Sequence, residues 1–503
     1  MSSRPDSITV ARTHRGTEIA LLLLVIGVGV VLRLFHLTYL ALWSDETFSI
    51  YYYKLGLAYL WTNGLQWESS PPLYYMAIGS WIQVFGAGEF AARSFSAVAS
   101  ALAIPMVYAL GCELFDRSRG LLAAAFIALS ATQIFYAQEV RPYALLLLPV
   151  TAVLLTCARF LRQGRSHANL IAYTVGSLIA IYTHATGVFF VAACGLGTIL
   201  GRMTMRCSQP RADLRAWIAA NAVVFVLALP EMIGMLAHVA ANRLAWIAPL
   251  TLSAIGRSLL DDILGPFAPA DSVTEVLVVG FLGVVAVRIY LRPPERRAIV
   301  VALGVPAIFV CEVVFASFFQ PIILGRIFCW VQVPLSIILA DVLLVDVRYR
   351  LFASVITLVV LGVGLAHQLG APGDAKEPWR SVIRQIKPDL AQADLVVVGP
   401  QSDTSNLMYY APAAKQVRIW TEGLPPNSED TVLPNLFGIT SITRAEIIDR
   451  INTGARVILI LRLGLDGRFL PLILSAVSPP QRQVTGTCLG RPCIQALFWQ
   501  PPH

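Results

Sequence analysis

Residues 18–53 read EIALLLLVIGVGVVLRLFHLTYLALWSDETFSIYYY. The first part, from Glu18 to about Leu40, is an apolar run long enough to cross a bilayer, which takes roughly 20 residues. Directly after it stands an acidic pair, Asp45–Glu46, in a loop rich in Trp and Tyr. Transporters hold their functional carboxylates near the bilayer midplane, inside spans or broken helices. Here the carboxylates stand at the membrane–water boundary, where a lipid head group lies. The pattern points to chemistry on a lipid-linked substrate.

The rest of the chain agrees with a membrane setting. Of 503 residues 56% are apolar and 14% charged, whereas ordinary globular domains carry about a quarter charged residues. The net charge of +8 does not imply a nucleic-acid partner, because the basic residues gather in short loops between apolar runs, as membrane topology requires. The polar start (Arg4, Arg12, Arg15) enters the first span without a small-residue cleavage site before Trp43. It reads as a signal anchor with residues 1–17 in the cytoplasm.

Residues Pro71 to Phe90 are apolar, but Pro71–Pro72 opens them and Gly86-Ala87-Gly88-Glu89 closes them. They are expected to form a surface helix, with Arg93 beginning the second span. The loops that then fall inside all carry arginine: Asp116–Arg119, Arg159–Arg165, Arg202–Arg215, Arg288–Arg297 and Arg348–Arg350. Those that fall outside (Gln138–Arg141, Tyr182–His184, His238–Asp271, Phe318–Arg326) are longer or less basic. By the positive-inside rule this predicts about 11 transmembrane helices over residues 18–369, with a first outer loop at 41–92.

Beyond Gly370 a polar linker (Pro372 to Pro378) leads into a stretch of soluble character. Strand-like runs at Asp394–Gly399, Val417–Trp420 and Ala455–Leu461 alternate with helical patterns at Trp379–Lys387 and Thr443–Ile451. Residues 370–503 are therefore expected to form a periplasmic or extracellular α/β or α+β domain. Of eight cysteines, Cys112, Cys157, Cys194, Cys207, Cys311 and Cys329 fall in or beside spans or in an inside loop. Cys488 and Cys493 lie in the outer domain, where an oxidising compartment favours a disulfide.

Asp45 and Glu46 have two readings. They can cap a helix, with Ser44 or Asp45 as N-cap and the next acid complementing the helix dipole. They can also serve as a catalytic base and its assistant, beside tyrosines and tryptophans able to floor a sugar site. Glu139 and Arg141, in FYAQEVRPY (residues 135–143), either pair with each other or hold a phosphate and a sugar hydroxyl. His184 is either a satisfied hydrogen-bonding residue or a substrate contact. Arg326 stands on the outer side, where arginine is less expected, so phosphate binding is a reasonable role. Lys54 and Arg93 are further outer cations that can also simply snorkel. Carboxylates and cations on one face suit glycosyl transfer from a polyprenyl-phosphate sugar: a carboxylate takes the acceptor proton and cations neutralise the departing phosphate.

These motifs resemble the GT-C membrane glycosyltransferases, and within them the bacterial branch of the protein O-mannosyltransferase family, similar to aminoarabinose transferases and rhizobial lipopolysaccharide galacturonosyltransferases. The residues that carry the likeness are Trp43-Ser44-Asp45-Glu46, Ser70-Pro71-Pro72-Leu73-Tyr74-Tyr75, Arg93, the run Tyr136 to Tyr143, His184, Gly325-Arg326 and Glu377-Pro378-Trp379-Arg380. The resemblance implies Asp45 as base with Glu46 assisting, a polyprenyl-phosphate-linked donor, inversion at the anomeric carbon, and a site facing outward from a bacterial inner membrane. A tyrosine is expected soon after Arg326, and Ile327-Phe328 stands there instead, which weakens the carry-over to Arg326.

The acceptor is left open: a lipid A or core glycan, a protein hydroxyl or another glycoconjugate. No cofactor is required by this chemistry, and a divalent metal can be accommodated. A lipid-linked sugar flippase is the rival reading, and it would call for internal repeats and mid-span charges such as Glu231 and Glu312. A membrane scaffold presenting the outer domain is the third.

Overall fold

The computed structural model describes residues 6–62, 70–205, 210–240, 247, 249–345, 347–399, 403–420, 435–463 and 470–500. Cys207, and parts of the loops at 202–215 and 238–271, lie outside the described residues. The helices used below are, in chain order, α1 (Asp6–Leu34), α2 (Ser44–Tyr52), α3 (Pro72–Phe85), α4 (Glu89–Leu114), α5 (Arg117–Leu129), α6 (Ala131–Ala137), α7 (Tyr143–Gln163), α8 (His167–Thr183), α9 (Gly187–Thr204) and α10 (Pro210–Ala240). They continue with α11 (Leu252–Leu264), α12 (Ser272–Leu291), α13 (Val305–Ser317), α14 (Gln332–Val345), α15 (Val347–Leu369), α16 (Trp379–Leu390), α17 (Thr404–Tyr410) and α18 (Arg444–Asn452).

The chain is a multi-pass membrane protein. Among the described residues nine helices are long and apolar enough to cross a bilayer, and α5 with α6 makes a tenth candidate bent by 58°. Helix α8, at 17 residues, is about 26 Å long at 1.5 Å per residue. With it the count reaches the eleven expected from the loops. Helix α3 has 14 residues and a length of about 21 Å, short of the roughly 30 Å hydrocarbon core. Two boundaries differ from expectation. The first span stops at Leu34 instead of Leu40, because the chain turns at His36, whose φ of 56° is left-handed. Arg93 does not begin the second span: α4 starts at Glu89, whose carboxylate suits the first turn.

The chain forms two compact units. The first comprises residues 1–35, 69–74 and 93–370. Its break at Ser130 has a visible cause. Arg33 is fully buried and donates to Ile127 O and Ala128 O (both 3.1 Å), to Gly29 O (3.0 Å) and to Ser100 Oγ (2.8 Å). Carbonyls at the end of α5, which lack partners along the helix, are thus satisfied by a side chain. Ser130 then accepts from Gln133 N–H at 3.2 Å and starts α6.

The second unit gathers residues 36–68, 75–92 and 371–503. Its centre is a six-stranded sheet, in the order β3-β2-β1-β4-β6-β5. The strands are β1 (Leu395–Gly399), β2 (Val417–Trp420), β3 (Thr440–Ile442), β4 (Val457–Arg462), β5 (Arg482–Cys488) and β6 (Arg491–Trp499). The first four pair in parallel, and β6 runs antiparallel to β4 and β5. All five residues of β1 are buried, as a parallel strand covered on both faces must be. On one face α16 lays down Trp379, Val382, Ile383, Ile386 and Leu390, a 3.6-residue period that gives one apolar stripe. The other face is covered by Ile447 and Ile451 of α18 with Ile473. Cys488 and Cys493 are joined in a disulfide at the β5–β6 turn.

Candidate active site

In the second unit, α2 begins after Trp43, whose extended backbone makes it the N-cap. Ser44, Asp45 and Glu46 are therefore the first three helical residues, at the positive end of the helix dipole. Their surroundings differ. Glu46 is wholly buried. Its carboxylate accepts from the Trp43 N–H at 3.4 Å and lies 3.9 Å from Lys376 Nζ. Ser44, also buried, donates to Asp403 Oδ1 at 2.6 Å or Glu377 Oε2 at 2.9 Å, and accepts from Asn406 Nδ2 at 2.9 Å. Thr47, one turn on, meets Ser405 Oγ at 2.8 Å and donates to Asn406 Oδ1 at 2.9 Å. Asp45 between them is half-buried.

A second tier of contacts surrounds this one. Arg462 donates to Glu377 Oε1 at 2.9 Å and faces Asp403 Oδ2 at 3.2 Å. Burial opposes its charge, but Asp403, Glu377 and Asp45 outweigh that and raise its pKa above the ordinary value. Glu377 also accepts from Trp379 Nε1 at 2.8 Å. Tyr410 donates to Glu89 Oε1 at 2.7 Å and accepts from Leu42 N–H at 2.8 Å. Arg380 pairs with the same Glu89 carboxylate and donates to Thr38 O at 2.8 Å. Lys54 is exposed, with its ammonium 4.8 Å from the Tyr51 ring centre.

In the first unit, the turn from α6 to α7 carries Glu139 and Arg141, both buried. Tyr136 and Tyr143 flank it with ring centres 4.9 Å apart, and Cys329 packs on both. Tyr143 lies 5.4 Å from the His184 ring. His184 caps α8, and its Nδ1 accepts from the Thr186 N–H at 3.2 Å. That bond leaves the proton of the neutral ring on Nε2. Burial, then Arg141 and Arg326, push the His184 pKa down to about 3, so the imidazole is neutral at ordinary pH. Arg326 is half-buried in the 3₁₀ turn Gly325–Val331. Arg141 and Arg326 thus lie near enough to His184 to disfavour its charge, and the Tyr143 ring packs beside it. Arg93, on α4, is buried at 1% exposure and does not reach solvent.

Sequence reasoning did not single out Lys376, Asp403, Asn406, Arg462 or Thr186 as site residues. Asp403 follows β1 and Arg462 is the last residue of β4, its parallel neighbour. Open α/β sheets gather functional residues at such carboxyl ends, so the strand reading contained a usable signal. Among the described residues no group of three His, Cys, Asp or Glu side chains is placed to hold a metal ion. The acids around α2 are engaged by Lys376, Arg462 and hydroxyl or amide hydrogens.

Comparison with known structures shows likeness over nearly the whole length. The chain is similar to ArnT from Cupriavidus metallidurans bound to undecaprenyl phosphate, with 13% identity, a TM-score of 0.57, and coverage of 97% of this chain and 98% of that one. The apo state of the same protein gives 14% and 0.58 at the same coverage. The Archaeoglobus fulgidus oligosaccharyltransferase in complex with Zn and sulfate gives 14% and 0.48, covering 91% of this chain and 70% of that one. At these identities the likeness is one of fold. The family model of the dolichyl-phosphate-mannose-protein mannosyltransferases matches residues 69–233, which hold Arg93, Glu139, Arg141, Tyr143 and His184. No curated protein matches the chain.

Proposed function

We infer that this chain is a GT-C membrane glycosyltransferase that moves one sugar from a polyprenyl-phosphate donor to an acceptor hydroxyl, a reading supported by its ArnT-like fold and its family match over residues 69–233. ArnT, which shares the fold, was solved with undecaprenyl phosphate, and that supports a lipid-phosphate leaving group here. The observation that carries the reading is the contrast along α2. Ser44 and Glu46 are wholly enclosed in the domain, while Asp45, between them, is partly exposed and so within reach of an acceptor.

Asp45 takes the proton of the acceptor hydroxyl as its oxygen forms a bond to the anomeric carbon. The bond from that carbon to the phosphate oxygen breaks, and its electron pair leaves with the polyprenyl phosphate. Arg141 and Arg326 neutralise the charge gained by the phosphate. The neutral His184 contributes a hydrogen bond from Nε2, and Glu139 orients Arg141 or a sugar hydroxyl. Lys54 and Arg93 have weaker claims, one exposed beside Tyr51 and the other buried. Glu46 holds the helix end and shapes the site around Asp45. A divalent metal is compatible with this scheme, and no step is assigned to one.

The reaction is placed on the outer face of a bacterial inner membrane, with the N-terminus cytoplasmic and residues 370–503 periplasmic or extracellular. The acceptor is a lipid A or core glycan, a protein, or another glycoconjugate. The test is a panel of polyprenyl-phosphate sugars offered with glycolipid, glycan and peptide acceptors to the protein in nanodiscs. Single displacement predicts a product with inverted anomeric configuration. A retained configuration would contradict the assignment of Asp45 as base.

A further inference from the structure

After β1 the chain lays β2 and β3 on one side of that strand and then returns to place β4 on the other. Such a reversal leaves a crevice at the carboxyl ends of the two central strands, where open α/β sheets ordinarily take a ligand. In this protein a segment of the chain itself fills the crevice. Asp403 follows β1, Arg462 ends β4, and they meet at 3.2 Å. Ser44 reaches Asp403 at 2.6 Å, and Thr47 reaches Ser405 and Asn406 at 2.8 and 2.9 Å. The run Asp403–Asn406 is wholly buried.

We propose that the sheet domain uses this crevice as a clamp on the first turn of α2, making Asp403 and Arg462 positioning residues for Asp45. The proposal rests on Asp45 being the base. Ser44 and Thr47, three apart, share one helix face. Successive helical residues differ by about 100° in direction, so fixing that face sets where Asp45 points. The Ser44 hydroxyl has one proton for two carboxylate acceptors, Asp403 and Glu377. Arg462, which touches both, allows them to remain charged side by side. Removing it leaves the buried Asp403 and the half-buried Glu377 repelling each other beneath α2.

The experiment uses the full chain in nanodiscs, with Asp403→Asn, Arg462→Met, Arg462→Lys and the milder Ser44→Ala. Arg482→Gln, which removes a surface ion pair with Asp389, is the control. Misplacement of a catalytic group by a fraction of an ångström to 1 Å predicts a kcat per folded molecule lowered about tenfold to a hundredfold, with the donor KM held within about twofold. Arg462→Lys recovers part of the loss, and Arg482→Gln matches wild type. Hydrogen exchange over residues 44–52, read in the same samples, rises in the clamp variants. Unchanged exchange there overturns the clamp whatever the activity, as does a wild-type kcat in the folded variants. A wild type that uses no polyprenyl-phosphate donor, with exchange raised in the variants, would refute the donor chemistry and leave the clamp standing.

Discussion

Ser44 and Asp403 lie 2.6 Å apart, although 359 positions separate them in the chain. One precedes the acidic side chain at the start of α2, and the other follows the first strand of the sheet domain. Their bond ties the sheet domain to the helix that carries Asp45. Truncations within residues 371–503 are therefore expected to lower kcat per folded molecule.

The different surroundings of Asp45 and Glu46 predict different losses. Glu46→Gln keeps an acceptor for the Trp43 N–H and gives up the charge facing Lys376. Glu46→Ala removes both and leaves a partly buried ammonium without its carboxylate, at a cost of about 1–3 kcal/mol. Thermal unfolding is expected to rank wild type, Gln and Ala in falling order, with activity per folded Glu46→Gln molecule reduced less than tenfold.

Arg141 is expected to dominate donor affinity. A charge-assisted bond to phosphate contributes about 1.5–3 kcal/mol, so Arg141→Ala weakens polyprenyl-phosphate binding roughly tenfold to a hundredfold. Arg141→Lys recovers only part, since an ammonium lacks the two-pronged geometry. Binding to labelled polyprenyl phosphate in nanodiscs reads both.

His184 gives a pH signature. Its folded pKa of about 3 lies below the unfolded value of about 6.5, so the unfolded chain binds the extra proton first. Stability from this group is complete above about pH 6.5 and is lost as pH falls toward 3. Unfolding temperatures measured from pH 7.5 to 5 are expected to drop, and to drop less in His184→Gln.

Gly79 in α3 sits under Tyr53: a Cβ there would lie 2.7 Å from the ring. Gly79→Ala is expected to cost about 1–3 kcal/mol by overpacking. Gly79→Ala with Tyr53→Leu is expected to recover part of it, read as unfolding temperature.

Much of this architecture was legible because membrane topology is written in one dimension. Arginine-bearing loops and apolar lengths carried the span count, and the β-rich runs near Leu395, Val417 and Val457 marked three of the strands. What escaped depended on contacts distant in sequence. Nothing in the run Asp403-Thr404-Ser405-Asn406 says that Ser44 will bind it, and Arg462 reads as an ordinary strand end. Strand β3, with three residues, and the β5–β6 pair carry too little alternation to stand out. The end of α1 was misplaced because Phe35 to Leu40 is apolar enough to continue a span, and the turn at His36 has no glycine or proline to announce it.

Asp45 is proposed to take the acceptor proton as a polyprenyl-phosphate sugar is consumed. The most direct measurement follows release of free polyprenyl phosphate by mass spectrometry from wild type and Asp45→Asn in parallel, with a membrane extract as acceptor. Wild type is expected to show acceptor-dependent release, and the folded variant a loss of about 10²–10⁴-fold with donor binding retained. Near-normal release by Asp45→Asn would contradict that role.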